Sequence, residues 1–308
     1  MRFLDSGAVA ALGPAAAVGA ITDALLSGVD PATDPARVSV GLAQGEFLLM
    51  PSETPVGAGV KVVTIAPANP SRGLPRIQAV YLLFDQETLA LRAALDGTAL
   101  TTLRTPAVSV AAVLKRLPAW PLRVAVIGAG PQATGHVATL AAVRSLEAVT
   151  YLVRDPARTR LHAVRLGSPQ GDQALRSAHV VVCATSARSP VFDSALVRND
   201  AVVIAVGSHE PDARELDAAL LGRATVVVED IATALREAGD VILAIAEGTL
   251  TPHDLVPMRH VLTGAITVPA DRPLVFKSVG MSWQDLAVAA AVAAHNEALR
   301  RQHGAANG

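Results

Sequence analysis

The 308-residue sequence has a single cysteine, Cys183. One cysteine excludes an intrachain disulfide and any cysteine-cluster metal site, and it suits a reducing, cytoplasmic setting. An excess of charge is also missing: 26 Lys plus Arg stand against 27 Asp plus Glu, a net charge of -1. Without a basic field, binding to nucleic acid or to an anionic membrane surface has no general driving force. The eight histidines include no HExxH or comparable ligand spacing, so no metal site is expected. No run reaches the roughly 18 consecutive apolar residues of a membrane span. The nearest, Gly7 to Thr22, is Ala-rich and interrupted by Gly13-Pro14. With only Arg2 ahead of it and Asp5 following at once, the start reads as a short strand over Arg2–Leu4, a cap at Asp5 or Ser6, and a helix rather than a secretion signal. Aromatic residues are only 3%, whereas hydrophobic residues, mainly Ala, Val and Leu, reach 51%, enough for a large core. At roughly 150 residues per domain, the length suits about two domains.

Strand-like runs with β-branched residues come early, at Phe47–Met50, Val60–Ala66 and Ile77–Phe84. Short Pro- and Gly-bearing segments separate them, which suits an antiparallel or mixed sheet. A helix is predicted from Thr105-Pro106, with Thr105 as N-cap, ending before Pro118. The character changes at Trp120-Pro121. From there continuous apolar strands (Leu122–Ile127, Val149–Val153, His179–Ala184, Val202–Val206, Thr225–Val228) alternate with helical stretches, the pattern of a parallel sheet covered on both faces. A long final helix is expected over about Gln284–Arg301.

The segment Leu122–Ala133 reads as strand, tight turn and helix around Gly128-Ala129-Gly130-Pro131-Gln132-Ala133. Gly128 permits the turn, Gly130 lets the backbone approach a pyrophosphate, and Ala133, standing for the third glycine, still allows close helix–strand packing. The helix N-terminus offers N–H groups and a positive dipole end to phosphates. An acidic side chain at the end of the second strand would hold a ribose 2′-hydroxyl, but that position is Val153. Arg154 follows, then Asp155-Pro156 as a predicted helix start, then Arg158. Guanidinium groups there favour a 2′-phosphate, so NADP(H) is expected over NAD(H), with NAD(H) as the second choice. The alternative leaves Arg154 and Arg158 as solvated surface residues.

Three cations in the first half stand in apolar surroundings: Arg37 before Val38-Ser39-Val40, Lys61 within Val60-Lys61-Val62-Val63, and Arg104 before Thr105-Pro106. A buried, uncompensated ammonium is costly, so Lys61 faces solvent, an anion or a ligand. Arg104, placed beside a predicted helix start, is a seat for a carboxylate. Spacing alone leaves surface and salt-bridge roles open for all three.

Together these strings resemble the ornithine cyclodeaminase/μ-crystallin family. The likeness runs in order through Arg37-Val38, Glu46–Pro51, Gly59–Thr64, Leu95-Asp96-Gly97, Leu103–Ser109, Val126–Ala133, Ala184-Thr185-Ser186, Ala205–Pro211 with Arg214-Glu215-Leu216, and Phe276–Gly280. It implies an α/β subunit. A Rossmann dinucleotide-binding domain over residues 120–283 would accompany a mixed α+β substrate and dimerisation domain over 1–119, to which 284–308 return. It also implies a homodimer, and a pocket in which Arg37, Lys61 and Arg104 bind a substrate carboxylate over the nicotinamide. Ala184-Thr185-Ser186 and the Lys277–Gly280 loop would lie near the nicotinamide riboside. The cofactor set expected from the turn and the resemblance is then Gly128, Gly130, Pro131, Gln132, Ala133, Arg154, Arg158, Thr185, Ser186, Lys277 and Gly280.

One departure bears on the reaction. In the cyclodeaminases an aspartate follows the glycine pair of the loop matching Gly207–Pro211 and handles the substrate's amines. Here the loop reads Gly207-Ser208-His209-Glu210-Pro211. A histidine, with an ordinary pKa near 6.5, is a weaker counter-ion for an ammonium at neutral pH. His209 is either a proton shuttle or the cap of a turn, and Glu210, one position away, is the alternative carboxylate. Family members without the aspartate resemble imine reductases, so the expected activity is NADPH-dependent reduction of Δ1-pyrroline-2-carboxylate or Δ1-piperideine-2-carboxylate to proline or pipecolate. Lys61, Arg104 and His209 would be its catalytic residues. The alternatives are a cyclodeaminase, an alanine-type amino-acid dehydrogenase, or a non-catalytic NADPH and ligand binder.

Overall fold

The computed structural model describes residues 2–306; Met1, Asn307 and Gly308, the extreme ends of the predicted first domain, lie outside the described residues. The chain divides into two compact units, Met1–Val108 with Met281–Gly308, and Ser109–Gly280.

The first unit opens with β1 (Phe3–Leu4), α1 (Ser6–Ala10) and α2 (Pro14–Leu26). Asp5 caps α1 through the N–H of Ala8, and Gly13, at φ 78°, turns the chain into α2. Then come β2 (Val38–Leu42), β3 (Gly45–Thr54), β4 (Gly57–Ile65), β5 (Ile77–Phe84) and β6 (Leu91–Asp96). The sheet order is β1-β6-β5-β4-β3-β2, antiparallel except for the β1–β6 pair, so the predicted mixed sheet is present. Its inner face carries Met50, Ser52, Lys61, Val63, Tyr81 and Leu83, all buried. The outward residues are apolar too: Val38, Val40 and Leu42 on β2 are 50%, 44% and 45% exposed. Register places them beside half-buried Phe47 and Leu49, which in turn lie near Val62. An antiparallel sheet with one solvated face normally alternates apolar and polar residues.

The next helix corrects a sequence expectation. It does not start at Thr105; α3 runs over Gly97–Val113 with Pro106 inside it. Asp96 supplies the cap, its Oδ1 accepting from the N–H groups of Thr98 and Ala99. Proline at this position removes a single i→i−4 donor, and the half-exposed Thr102 carbonyl that loses it can turn to water. The seam between the units falls inside α3, between Val108 and Ser109, and again after Gly280, rather than at residues 119/120 and 283/284.

The second unit is a fully parallel sheet with covering helices. Its strands are β7 (Leu122–Ile127), β8 (Leu146–Val153), β9 (Ala163–Arg165), β10 (Val180–Cys183), β11 (Val202–Ala205), β12 (Thr225–Val228), β13 (Leu255–Pro257) and β14 (Leu274–Lys277). Its helices are α4 (Pro131–Val143), α5 (Pro169–Ser177), α6 (Ala218–Arg223), α7 (Ile231–Glu237), α8 (Gly239–Ala246) and α9 (Met258–Thr263). The order β13-β12-β14-β11-β10-β7-β8-β9 reverses direction at β7, and ligands of such sheets bind outside the carboxyl ends of the strands at that reversal. A second correction lies here. Asp155-Pro156 opens only a single turn, Pro156–Arg158, because β9 then pairs with the β8 edge, and the helix waits for the Ser168 cap of α5. The chain returns to the first unit as α10 (Ser282–Ala306), whose N-terminal half packs on the inner face of β3 and β4. No helix among the described residues is long and apolar enough to cross a membrane.

Candidate active site

In the first unit the three predicted cations gather around a carboxylate that the sequence reading did not single out. Lys61 projects from the inner face of β4, and its Nζ lies 2.8 Å from Asp285 Oδ2 and donates to Thr101 Oγ1 at 3.3 Å. Arg104, in the middle of α3, sets Nε 3.2 Å from Asp285 Oδ1 and donates from a terminal nitrogen to Gln284 Oε1 at 2.8 Å. The dipole argument made for a helix start at Thr105 therefore does not apply to Arg104. Lys61 is 2% exposed, Arg104 5% and Asp285 0%. Burial lowers the Lys61 ammonium from 10.5 to about 8; Asp285 opposes that fall, whereas Arg104 and the half-buried Arg37 add to it. Arg37 thus belongs to the same field.

A second carboxylate ties the cluster together. Asp34 accepts from Ser52 Oγ at 2.6 Å and from the Trp283 N–H at 3.0 Å, so it satisfies donors at the start of α10 from a distant part of the chain. Burial raises Asp34 to about 6, against the lowering effect of these hydrogen bonds. Lys61 and Arg104 against Asp285 leave one positive charge on this buried group, the complement of one further carboxylate. Asp285 did carry a sequence signal. It is the only acidic residue between Asp271 and Glu297, just ahead of the apolar run Leu286–Ala294.

In the second unit the glycine turn is formed as expected. Gly128 has φ +116°, and a Cβ there would stand 2.5 Å from the Ala184 carbonyl oxygen. Gly130 is the N-cap of α4 and brings no side-chain acceptor, Pro131 fills the first helical position, and Ala133 is fully buried against the strand. The first-turn N–H groups are left for an anion. A Cβ on Gly130 would meet no protein atom within 4 Å. A cleft of about 1310 Å³ opens at these strand ends, lined by Gly128, Gly130, Arg154, Arg158, Thr185 and Ser186 among others. That exceeds the roughly 300–1,000 Å³ of ordinary small-molecule sites and suits an extended dinucleotide. Arg154 and Arg158 are exposed and have no ion-pair partner among the described residues, and Arg176, unremarked in the sequence reading, joins them on the cleft wall. These residues fit a dinucleotide.

Buried carboxylates brace the cleft, and here the expectation for Lys277 changes. Glu215 accepts from Thr185 N and Oγ1 at 2.8 and 2.7 Å and from the Gly207 N–H at 2.7 Å. Asp240 accepts from the N–H groups of Glu215 and Leu216, both at 2.8 Å. Lys277 is fully buried, 2.9 Å from Asp240 Oδ2 and donating to the Ser208 carbonyl at 2.6 Å, so its ammonium stabilises the strand ends and does not face a nucleotide. Glu229 gathers Ser278 Oγ with the N–H groups of Val279 and Gly280. Buried carboxylates need such donors, but residues so far apart in sequence gave no local signal. His209 is exposed on its loop. Glu210 is also exposed and pairs with Arg188.

Residues 15–299 match the ornithine cyclodeaminase/mu-crystallin family. The chain is 36% identical over 262 residues, 82% of either chain, to the Δ1-pyrroline-2-carboxylate/Δ1-piperideine-2-carboxylate reductase of Azospirillum brasilense. Its fold is similar to that of Thermococcus litoralis Δ1-pyrroline-2-carboxylate reductase in complex with NADH and L-proline (TM-score 0.86, 26% identity, 98% of both chains). It is also similar to an archaeal alanine dehydrogenase dimer with bound NAD (TM-score 0.82, 26% identity, 98% of this chain and 97% of that one). The chain belongs to the ornithine cyclodeaminase/mu-crystallin family.

Proposed function

We propose that this chain is an NAD(P)H-dependent oxidoreductase that reduces the C=N bond of a cyclic ketimine carboxylate, Δ1-pyrroline-2-carboxylate or Δ1-piperideine-2-carboxylate, to proline or pipecolate. The observation that carries the reading is the buried group of Lys61, Arg104 and Asp285, whose two cations and one carboxylate leave a single positive charge to match one substrate carboxylate. The names of its relatives, reductases of these imines, support the same bond type. The glycine turn and the cleft walls would hold a reduced nicotinamide dinucleotide, which when bound would supply a hydride for C2 of the imine. The ring nitrogen takes a proton from water, and C=N becomes CH–NH.

The chain's own side chains bind and orient. Arg37 and Arg104 clamp the carboxylate by charge-assisted hydrogen bonds, which fixes the ring and makes hydride transfer effectively intramolecular. Lys61 adds a third contact and, being charged at pH 7, favours the anionic carboxylate. Activity should fall as pH rises through about 8, where Lys61 loses its proton. Gly128 and Gly130 would let the turn approach the pyrophosphate, and Thr185 and Ser186, on the same cleft, would hold the nicotinamide end. Arg154 and Arg158, whose side chains have no ion-pair partner among the described residues, favour the 2′-phosphate of NADPH over NADH. His209 is solvent-accessible and is assigned no proton transfer.

The outward apolar face of β2 and β3 would be covered by a second copy in a two-fold dimer, since one self-complementary patch suffices for such an interface. The experiment for the reaction is absorbance at the nicotinamide band, with each imine offered alongside NADPH and NADH. Consumption of NADPH with at least one imine is expected. Nucleotide binding without turnover on either would overturn the reaction, and consumption of NADH alone would overturn the arginine assignment.

A further inference from the structure

Asp285 is fully buried on the first turn of α10, and each of its oxygens meets a different cation. Lys61 spends two of its three N–H donors on Asp285 and Thr101. Arg104 spends two of five on Asp285 and Gln284. One ammonium N–H and three guanidinium N–H groups remain, held in place by a carboxylate that itself meets no solvent. The charged and titratable groups facing Lys61 come from every element packed on it: Asp285 from α10, Arg104 from α3, Arg37 from the segment before β2, and Tyr81 from β5, directly opposite Lys61 in the sheet register. Asp34 lies close enough to act on Asp285 and Tyr81. Two of these neighbours are cations, so without Asp285 the ammonium would be buried against like charge.

We propose that Asp285 is a positioning residue for the reaction: it keeps the Lys61 ammonium charged and locks it together with Arg104, so that their remaining N–H donors meet one substrate carboxylate. The proposal rests on the reading that this cluster binds a carboxylate. A merely structural Asp285 would fasten α10 to the sheet and leave the charge of Lys61 unaffected.

The sequence has three lysines, Lys61, Lys115 and Lys277, which makes a direct titration practical. Protein carrying 13C at lysine Cε gives three signals; Lys115→Arg identifies one and Lys61→Met, by the signal it removes, identifies that of Lys61. In the unsubstituted protein the Lys61 signal should titrate near pH 8. In Asp285→Asn, which keeps the shape and removes the charge, the midpoint should fall by about one unit or more. The alkaline limb of imine reduction should move with it, the KM for the imine acid should rise about tenfold or more, and NADPH affinity should not change. An unshifted Lys61 midpoint in folded Asp285→Asn, or an ordinary lysine midpoint in the unsubstituted protein, overturns the proposal. If Asp285→Asn does not fold, Gln284→Glu carries the test by adding a carboxylate beside Arg104; it must raise the Lys61 midpoint, and no change overturns the proposal. Because the titration uses no substrate, absence of turnover would count against the proposed reaction and leave this result standing.

Discussion

Replacing Gly128 and Gly130 in turn by alanine separates what the fold requires of the glycine turn from what a nucleotide requires. At Gly128 the backbone sits at φ +116°, and the new Cβ would be 2.5 Å from the Ala184 carbonyl oxygen. A close C···O approach is about 3.3 Å or more, so β7 and β10 must part by most of an ångström at their carboxyl ends. Backbone strain of this kind costs about 1–3 kcal/mol, and the contact adds to it, so Gly128→Ala should lower unfolding stability by about 2–4 kcal/mol as well as weaken nucleotide binding. Gly130 is different. Its φ of −84° and ψ of −178° suit any residue, and no protein atom lies within 4 Å of the added carbon. Stability should stay within about 0.5 kcal/mol of the parent, while NADPH affinity falls about tenfold to a hundredfold, or about 1.4–2.8 kcal/mol. Thermal melts read the first quantity, and titration by NADPH fluorescence reads the second. If Gly130→Ala binds NADPH like the parent, pyrophosphate does not approach the backbone there. If Gly128→Ala melts like the parent, the tight packing of the turn on β10 is wrong.

Lys61→Met should reduce kcat/KM for the imine by about a hundredfold or more with little change in nucleotide affinity, since a buried charge partner is worth about 2–5 kcal/mol; equal loss of both would make the lysine structural. Arg154→Ala and Arg158→Ala should each weaken NADPH about tenfold and leave NADH unchanged, as competitive binding would show. Burial lowers His136 from 6.5 to about 4, so its Nδ1 donates to the Gln132 carbonyl and its neutral Nε2 accepts from Ser109. An unfolded chain binds that proton below pH 6.5 and the folded chain does not until about 4. The stability contributed is therefore full above pH 6.5 and is lost as pH falls toward 4, by roughly 3 kcal/mol, a slope that urea unfolding of His136→Gln should lack. Val40→Asp, on the exposed β2 face, should halve the solution mass by light scattering; a monomeric parent would refute the dimer.

Local chemistry made much of the fold readable. β7 and β12 run over the predicted residues because each is a short, mainly apolar run, β7 between Pro121 and Gly128 and β12 ending before Glu229-Asp230, and the turn after β7 carries its own conformational code at Gly128. Thr105-Pro106 misled because Thr-Pro is a good helix start anywhere, and only the competing cap at Asp96 turns it into a helix interior. Asp155-Pro156 misled in the same way, since pairing of β9 with β8 was not visible in a three-residue strand.

What the sequence determined alone was whatever depends on neighbours along the chain: strand period, helix caps, the glycine turn, and cations placed where an apolar segment has no local use for them. What the tertiary structure decided was which charges meet. Lys61 and Asp285 are 224 positions apart, and Glu215, Asp240 and Lys277 come from the loop before α6, from α8 and from the end of β14. A charge can be buried only beside a partner, and the choice of partner is made when the sheet and its covering helices close on one another.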